Sequence, residues 1–158
     1  MDYVIRPLTN ADEPILWEMV YQALRTNEGE TALSRDVVRR PEFARYVEGW
    51  GRPGDTGFVA YDSNQNELLG AVWIRIPTNG DGKNGGEQTP ELAFVVKPGH
   101  RKHGIGAAML TQLVKANPQH SVISLRATAS NPAVRLYERF GFKVMRESEG
   151  HVVMSREI

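Results

Sequence analysis

Residues 91–106 read Glu-Leu-Ala-Phe-Val-Val-Lys-Pro-Gly-His-Arg-Lys-His-Gly-Ile-Gly. Glu91 to Lys97 is a β-rich run, Pro98-Gly99 breaks it, and a basic turn follows. From there Ile105, Ala108, Met109, Leu113 and Ala116 fall at helical spacing up to Asn117-Pro118. Strand, basic turn and helix make a layout suited to an anion. The first amide N–H groups of a helix lack internal partners, and the helix dipole places roughly half a positive charge there. Glycines at 104 and 106 would let phosphate oxygens approach those amides without meeting a Cβ, and Arg101 and Lys102 add full charges.

Two common phosphate motifs come close and fail. Gly99 and Gly104 have the spacing of a nucleotide P-loop, but Ile105-Gly106 stand where Lys and Ser/Thr would hold phosphate and magnesium. Gly104-Ile105-Gly106 could open a dinucleotide fingerprint, yet Met109 replaces its third glycine and the next carboxylate is Glu138. Hydrolysis of ATP or GTP and nicotinamide chemistry are therefore disfavoured. The charge pattern keeps phosphate in view: residues 1–91 hold nine Lys/Arg against fifteen Asp/Glu, whereas residues 92–137 hold six basic residues and no acid.

Working outward, Asp2 to Pro7 is a strand, and Asn10 with Glu13 can cap a helix carrying Ile15, Leu16, Met19, Val20, Ala23 and Leu24 on one face. A second helical region is expected from Ser34 to Trp50, broken at Arg40-Pro41, with Phe43, Tyr46, Val47 and Trp50 as its apolar stripe. Gly57 to Asp62 and Leu68 to Ile76 form a hairpin. Pro77 to Pro90, with four glycines, reads as a mobile connection. After the segment 91–116, Ser121 to Ala127 is a strand, Pro132 to Phe140 a short helix ended by Gly141, and Lys143 to Glu147 with Val152 to Arg156 a closing hairpin. This order gives an α+β domain with a mixed, mostly antiparallel sheet flanked by helices.

A length of 158 residues suits one domain, 1–158, and apolar and charged fractions of 41% and 24% suit a globular chain. No membrane span or signal peptide is read, so a cytoplasmic protein is expected. The absence of cysteine closes disulfide, zinc-thiolate and cysteine-nucleophile chemistry. Zero net charge opposes nucleic acid as a partner. His100 and His103 lack a neighbouring Cys, Asp or Glu that would complete a metal site, so none is expected.

Arg101-Lys102-His103-Gly104-Ile105-Gly106 resembles the Arg/Gln-x-x-Gly-x-Gly/Ala signature of the GCN5-related N-acetyltransferase (GNAT) superfamily, at the same strand-to-helix position. Residues 131–142, Asn-Pro-Ala-Val-Arg-Leu-Tyr-Glu-Arg-Phe-Gly-Phe, resemble its second signature, Asn-x-x-Ala-x-x-Leu-Tyr-x-x-x-Gly-Phe. The resemblance implies the GNAT-type acyl-CoA N-acyltransferase fold, with acetyl-CoA as co-substrate and no metal. It implies that the pyrophosphate is held by Arg101, Lys102, His103, Gly104, Ile105, Gly106 and Ala107. It also implies that the pantetheine arm pairs with the strand at Val95 and Val96, flanked on its other side by Asn131 and Ala133.

An alkyl amine has a pKa of about 10.4 and needs a base before it attacks a thioester. Glu91 matches the glutamate serving that role in some family members, and Tyr137 matches the tyrosine that protonates the leaving thiolate; ordinary strand and core roles remain open for both. The expected activity is acetyl transfer to a primary amine of a small molecule or peptide by a monomer or homodimer. The alternative is an acyl-CoA-binding sensor without turnover. For the acceptor, the stretch after Asn27 carries five acids against five arginines, so it could favour a cationic amine or hold an acceptor bearing a carboxylate.

Overall fold

A computed structural model of the protein describes residues 3–27, 35–52, 54–64, 67–76, 90–97, 104–117, 122–128 and 133–157. The strands are β1 (Tyr3–Pro7), β2 (Thr56–Asp62), β3 (Leu68–Arg75), β4 (Glu91–Val96), β5 (Val122–Thr128), β6 (Lys143–Ser148) and β7 (His151–Glu157). The helices are α1 (Glu13–Asn27), α2 (Pro41–Ala44), α3 (Ile105–Ala116) and α4 (Ala133–Arg139). The strands form one sheet in the order β1-β2-β3-β4-β5-β7-β6, antiparallel except for the parallel pair β4–β5. The expected mixed sheet flanked by helices is what the chain adopts. The glycine-rich connection over 77–89 lies outside the described residues.

Period-2 alternation divides the apolar side chains between two cores, one on each face of the sheet. On one face Val72, Ile74, Leu92, Val96, Ile123 and Leu125 pack with Met109, Leu110 and Leu113 of α3 and Tyr137 of α4. On the other, Val59, Ala71, Trp73 and Val95 pack with Leu16, Met19 and Val20 of α1 and with Val38, Val47 and Trp50. Removing this much apolar surface from water is the main drive holding both helix layers on the sheet.

Two local expectations are corrected. The cap before α1 is Thr9 rather than Asn10: its hydroxyl accepts from Ala11 N–H, and Asp12 reaches back to the Thr9 N–H at 2.7 Å, closing a capping box over a 3-10 turn at Asn10–Asp12. Arg6 also donates to both Asp12 oxygens, at 2.8 and 3.0 Å, and this is why the carboxylate sits there.

The second helical region is a 3-10 segment, Arg35–Arg39, then the single turn α2 and irregular turns to Trp50. Its apolar stripe is nonetheless placed as read, with Val47 and Trp50 buried and Phe43 and Tyr46 half-buried. The regular helix stops because side chains of β3 take its carbonyls. Trp73 Nε1 donates to Tyr46 O at 2.9 Å, and Arg75 Nη1 donates to Arg45 O at 3.3 Å and Glu48 O at 2.9 Å. Glu91 in β4 is the register partner of Arg75 in β3 and of Ser124 in β5, so one polar row crosses the sheet beneath this turn.

Candidate active site

The β4–β5 ladder is two residues long, Glu91↔Ser124 and Leu92↔Leu125. Beyond it β4 continues its pairing with β3 as far as Val96↔Gly70, while β5 stays with β7 as far as Thr128↔His151. The two strands therefore part after Leu92 and open a wedge between them. Its β4 wall is Ala93 to Val96, where Val95 and Val96 are each 8% exposed and face opposite cores.

At the wide end of the wedge lies the start of α3. Gly104 is its N-cap, with φ 77°, and no side chain caps the helix. Among the described residues a Cβ on Gly104 would meet no atom within 4 Å, and the first amides of the helix, those of Ile105, Gly106 and Ala107, follow it. Gly106 also meets a packing need: a Cβ there would stand 2.7 Å from Phe94 Cζ and 3.2 Å from Leu136 Cδ2. Its bare Cα lets the ring of Phe94 lie against α3. Arg101, Lys102, His103 and Asn131 lie outside the described residues. Ala133, the first residue of α4, packs against the core on the α3 face.

Tyr137 occupies that same core. It is 4% exposed, with its ring edge-on to Phe94 at 5.7 Å and to Phe142 at 6.0 Å. After it the helix closes through Gly141 N–H to Glu138 O at 3.0 Å and Phe142 N–H to Tyr137 O at 3.1 Å, which ends α4 where the sequence places the stop. Burial pushes the Tyr137 hydroxyl well above the usual phenol range, so it stays protonated and able to donate.

Glu91 stands on the other face. Its carboxylate is 10% exposed and accepts from Arg45 Nη1 at 2.8 Å on Oε1, and from Arg45 Nη2 at 3.0 Å and the Tyr46 hydroxyl at 2.5 Å on Oε2. Arg45 Nη2 also reaches the Tyr46 hydroxyl at 2.7 Å, and its guanidinium lies over the Tyr46 ring, 4.3 Å from the centroid. Burial, and then the negative charge of Glu91, hold the Tyr46 hydroxyl in its protonated form, while the charges of Arg45 and, less, of Arg126 in β5 pull the other way. Thus Arg45, Tyr46, Glu91 and Arg126 cluster where β4 and β5 part.

The two expected proton-handling residues are therefore not in contact: Glu91 faces the α1 side and Tyr137 the α3 side, with the wedge between them. Sequence reasoning does not single out Arg45 and Tyr46 as neighbours of Glu91, because no spacing signal links positions 45 and 46 residues away. The one available hint was Tyr46 in the apolar stripe beside an arginine-rich run. Among the described residues no group of three or more His, Cys, Asp or Glu is placed to hold a metal, and no helix is long and apolar enough to cross a membrane.

A second concavity, of about 620 Å³, lies between α1 and the 3-10 segment, lined by Glu13, Trp17, Tyr21, Asp36 and Arg39 among others. Arg39 sits 4.0 Å above the Trp17 ring there.

The profile of the Acetyltransferase (GNAT) family matches residues 17–142. No curated protein sequence matches the chain. Among solved structures, the PaiA N-acetyltransferase of Thermoplasma acidophilum in complex with coenzyme A shares 19% identity over all of both chains, with a TM-score of 0.71. A GCN5-related N-acetyltransferase from Kribbella flavida shares 19% over 99% of this chain and 98% of its own, TM-score 0.68. The yncA structure from Salmonella typhimurium, with acetyl-CoA, shares 19% over 99% of this chain and 94% of its own, TM-score 0.66. At such identities the structures speak for the fold, and the profile speaks for the family. The profile covers most of the chain, whose sheet parts between the parallel strands β4 and β5: this protein belongs to the acetyltransferase (GNAT) family.

Proposed function

We propose that residues 1–158 act as one N-acetyltransferase domain that moves the acetyl group of acetyl-CoA to a primary amine of a small molecule or peptide. The observation that carries this reading is the wedge between β4 and β5, with a carboxylate on one face and a buried phenol on the other. Amides of Ile105, Gly106 and Ala107, following Gly104, fit a pyrophosphate, joined by Arg101, Lys102 and His103. Val95 and Val96 line the thioester arm on the β4 side, and Asn131 and Ala133 flank it opposite. Structural relatives that hold coenzyme A or acetyl-CoA support this arrangement.

Glu91 takes one proton from the ammonium, the amine nitrogen then forms a bond to the thioester carbonyl carbon and the C–S bond breaks; the nitrogen's second proton leaves to solvent, and the thiolate takes the proton of the Tyr137 hydroxyl, which solvent restores. An N–H of β4 near Val95 or Val96 meets the developing oxyanion. Glu91 has room for this: an ionised carboxylate offers about four acceptor sites, and Arg45 and Tyr46 occupy three. Tyr137, held in its protonated form by burial, is an acid of the right state.

One observation favours the sensor reading, in which acyl-CoA is bound without turnover: both oxygens of Glu91 already accept from Arg45. Two measurements decide. Calorimetry should find acetyl-CoA and CoA bound far more tightly than ATP or NAD; equal affinity for ATP, or none for CoA, overturns the assignment. Thiol release with a panel of amines should then exceed the amine-free rate, and release that no amine accelerates would leave the sensor.

A further inference from the structure

The Arg45–Glu91 pair carries more than a position for a base. Arg45 brings a full fork to Glu91, stacked on the Tyr46 ring, with its own carbonyl fixed by Arg75. Of the two partners it is the accessible one: the Arg45 side chain is 36% exposed and that of Glu91 10%. Arg126, on the same face of β5, adds a second positive charge, and no acid occurs between Leu92 and Tyr137. A molecule entering from solvent therefore meets the guanidinium first, with the carboxylate behind it.

We propose that the acceptor is an α-amino acid, and that Arg45 is the receptor for its carboxylate, exchanging Glu91 for the substrate. This rests on the reading of Glu91 as the amine's base. An ion pair is the complement of a zwitterion: the incoming carboxylate takes the planar fork of Arg45, and the incoming ammonium takes Glu91. Each charge-assisted contact broken inside the protein is replaced by one to the substrate. Arrival of the acceptor and release of Glu91 from arginine are then one event, and the freed carboxylate stands beside the amine it must deprotonate. An amine without a carboxylate has nothing to offer Arg45. It must either separate the pair at its own cost or attack beside a carboxylate whose two oxygens are still held by arginine. The arrangement thus selects for the carboxylate because only an acceptor that occupies Arg45 releases both oxygens of Glu91.

The test compares amino acids with their decarboxylated amines on the full chain with acetyl-CoA, following thiol release: tyrosine with tyramine, histidine with histamine, lysine with cadaverine, phenylalanine with phenethylamine. For at least one pair the amino acid should exceed its amine by about 100-fold or more in kcat/KM. Arg45→Gln should bring the ratio close to one, mainly by raising KM for the amino acid, and Arg45→Lys should restore part of it. The wild-type comparison needs no variant to fold. Equal or better use of the decarboxylated amines overturns the proposal, as does an Arg45→Gln protein in which both members of a pair slow equally. If no pair is turned over, calorimetry of the CoA-saturated protein with the same amino acids replaces the rate, and absence of saturable binding overturns it too. Failure of the base reading has its own signature, a Glu91→Gln protein with unchanged pH profile and the carboxylate preference intact.

Discussion

Gly106 and Phe94 share one space: the position a Cβ of residue 106 would fill lies 2.7 Å from the tip of the Phe94 ring. Phe94 in turn stands edge-on to Tyr137 at 5.7 Å, so the start of α3, the β4 wall of the wedge and the proposed acid are in one packed line.

Gly106→Ala should accordingly lower stability by about 1–3 kcal/mol, the usual range for overpacking, and disturb turnover through the displaced ring. Gly104→Ala should cost about 1–2 kcal/mol for a different reason, the left-handed backbone at φ 77°, since no atom of the described residues opposes the added Cβ. Urea midpoints of the two variants, read with CoA calorimetry, check both. Bulkier Gly104→Val should weaken CoA binding by closing the approach to the first amides of α3.

Tyr137→Phe removes one oxygen and keeps the ring, so its contacts with Phe94 and Phe142 should persist. We expect kcat to fall by roughly 10- to 1000-fold with CoA affinity nearly unchanged. Steady-state kinetics beside CoA calorimetry test this, and an unchanged kcat would assign the proton to another donor.

Alkaline stability follows from the two raised phenols. Tyr137, by burial, and Tyr46, by burial and then by Glu91, lose their protons at higher pH in the folded protein than in the unfolded chain. Their contribution is complete below the unfolded value of about 10 and is lost as pH rises from there towards the folded values, because the unfolded state then binds fewer protons. Unfolding free energy measured between pH 9 and 11 should decline, and Tyr137→Phe should flatten part of the decline. A slope identical in wild type and variant would remove Tyr137 from this account.

Arg75 is 4% exposed, paired with Asp55 through Nε at 3.0 Å, and bound to two carbonyls of the turn that carries Arg45. Arg75→Met leaves Asp55 and both carbonyls without this donor, and should cost about 3–5 kcal/mol, the range for breaking a buried pair from one side. Because Arg45 O is one of those carbonyls, kcat/KM for the acceptor should fall as well, while CoA affinity, set at α3, should hold. Denaturant melts and kinetics on the same preparation test the two halves.

The elements readable in the sequence are those whose signals are local. Thus β4, α3 and the stop at Gly141 are where periodicity and turn residues put them, because neighbours within a turn decide them. The placement of β7 between β5 and β6 is different: the closing hairpin is visible as two runs, but which run joins β5 depends on a sheet edge formed far away. The helical spacing before Trp50 overstates the helix because carbonyl partners from Trp73 and Arg75, about thirty residues on, outcompete it. In the site, Glu91 and Tyr137 could be singled out through their signatures, and they lie on the two sides of the wedge. Arg45 and Tyr46 could not, since their roles exist only when a distant turn is folded over β4.

That turn is fastened by its peptide oxygens, those of Arg45, Tyr46 and Glu48, to an indole and a guanidinium rooted in the sheet. Its path is therefore held through the backbone as well as through the side chains of residues 45 and 46. Engineers wishing to redirect the enzyme to new acceptors have in these two positions a mount whose fittings can be exchanged while the bracket stays bolted to the sheet.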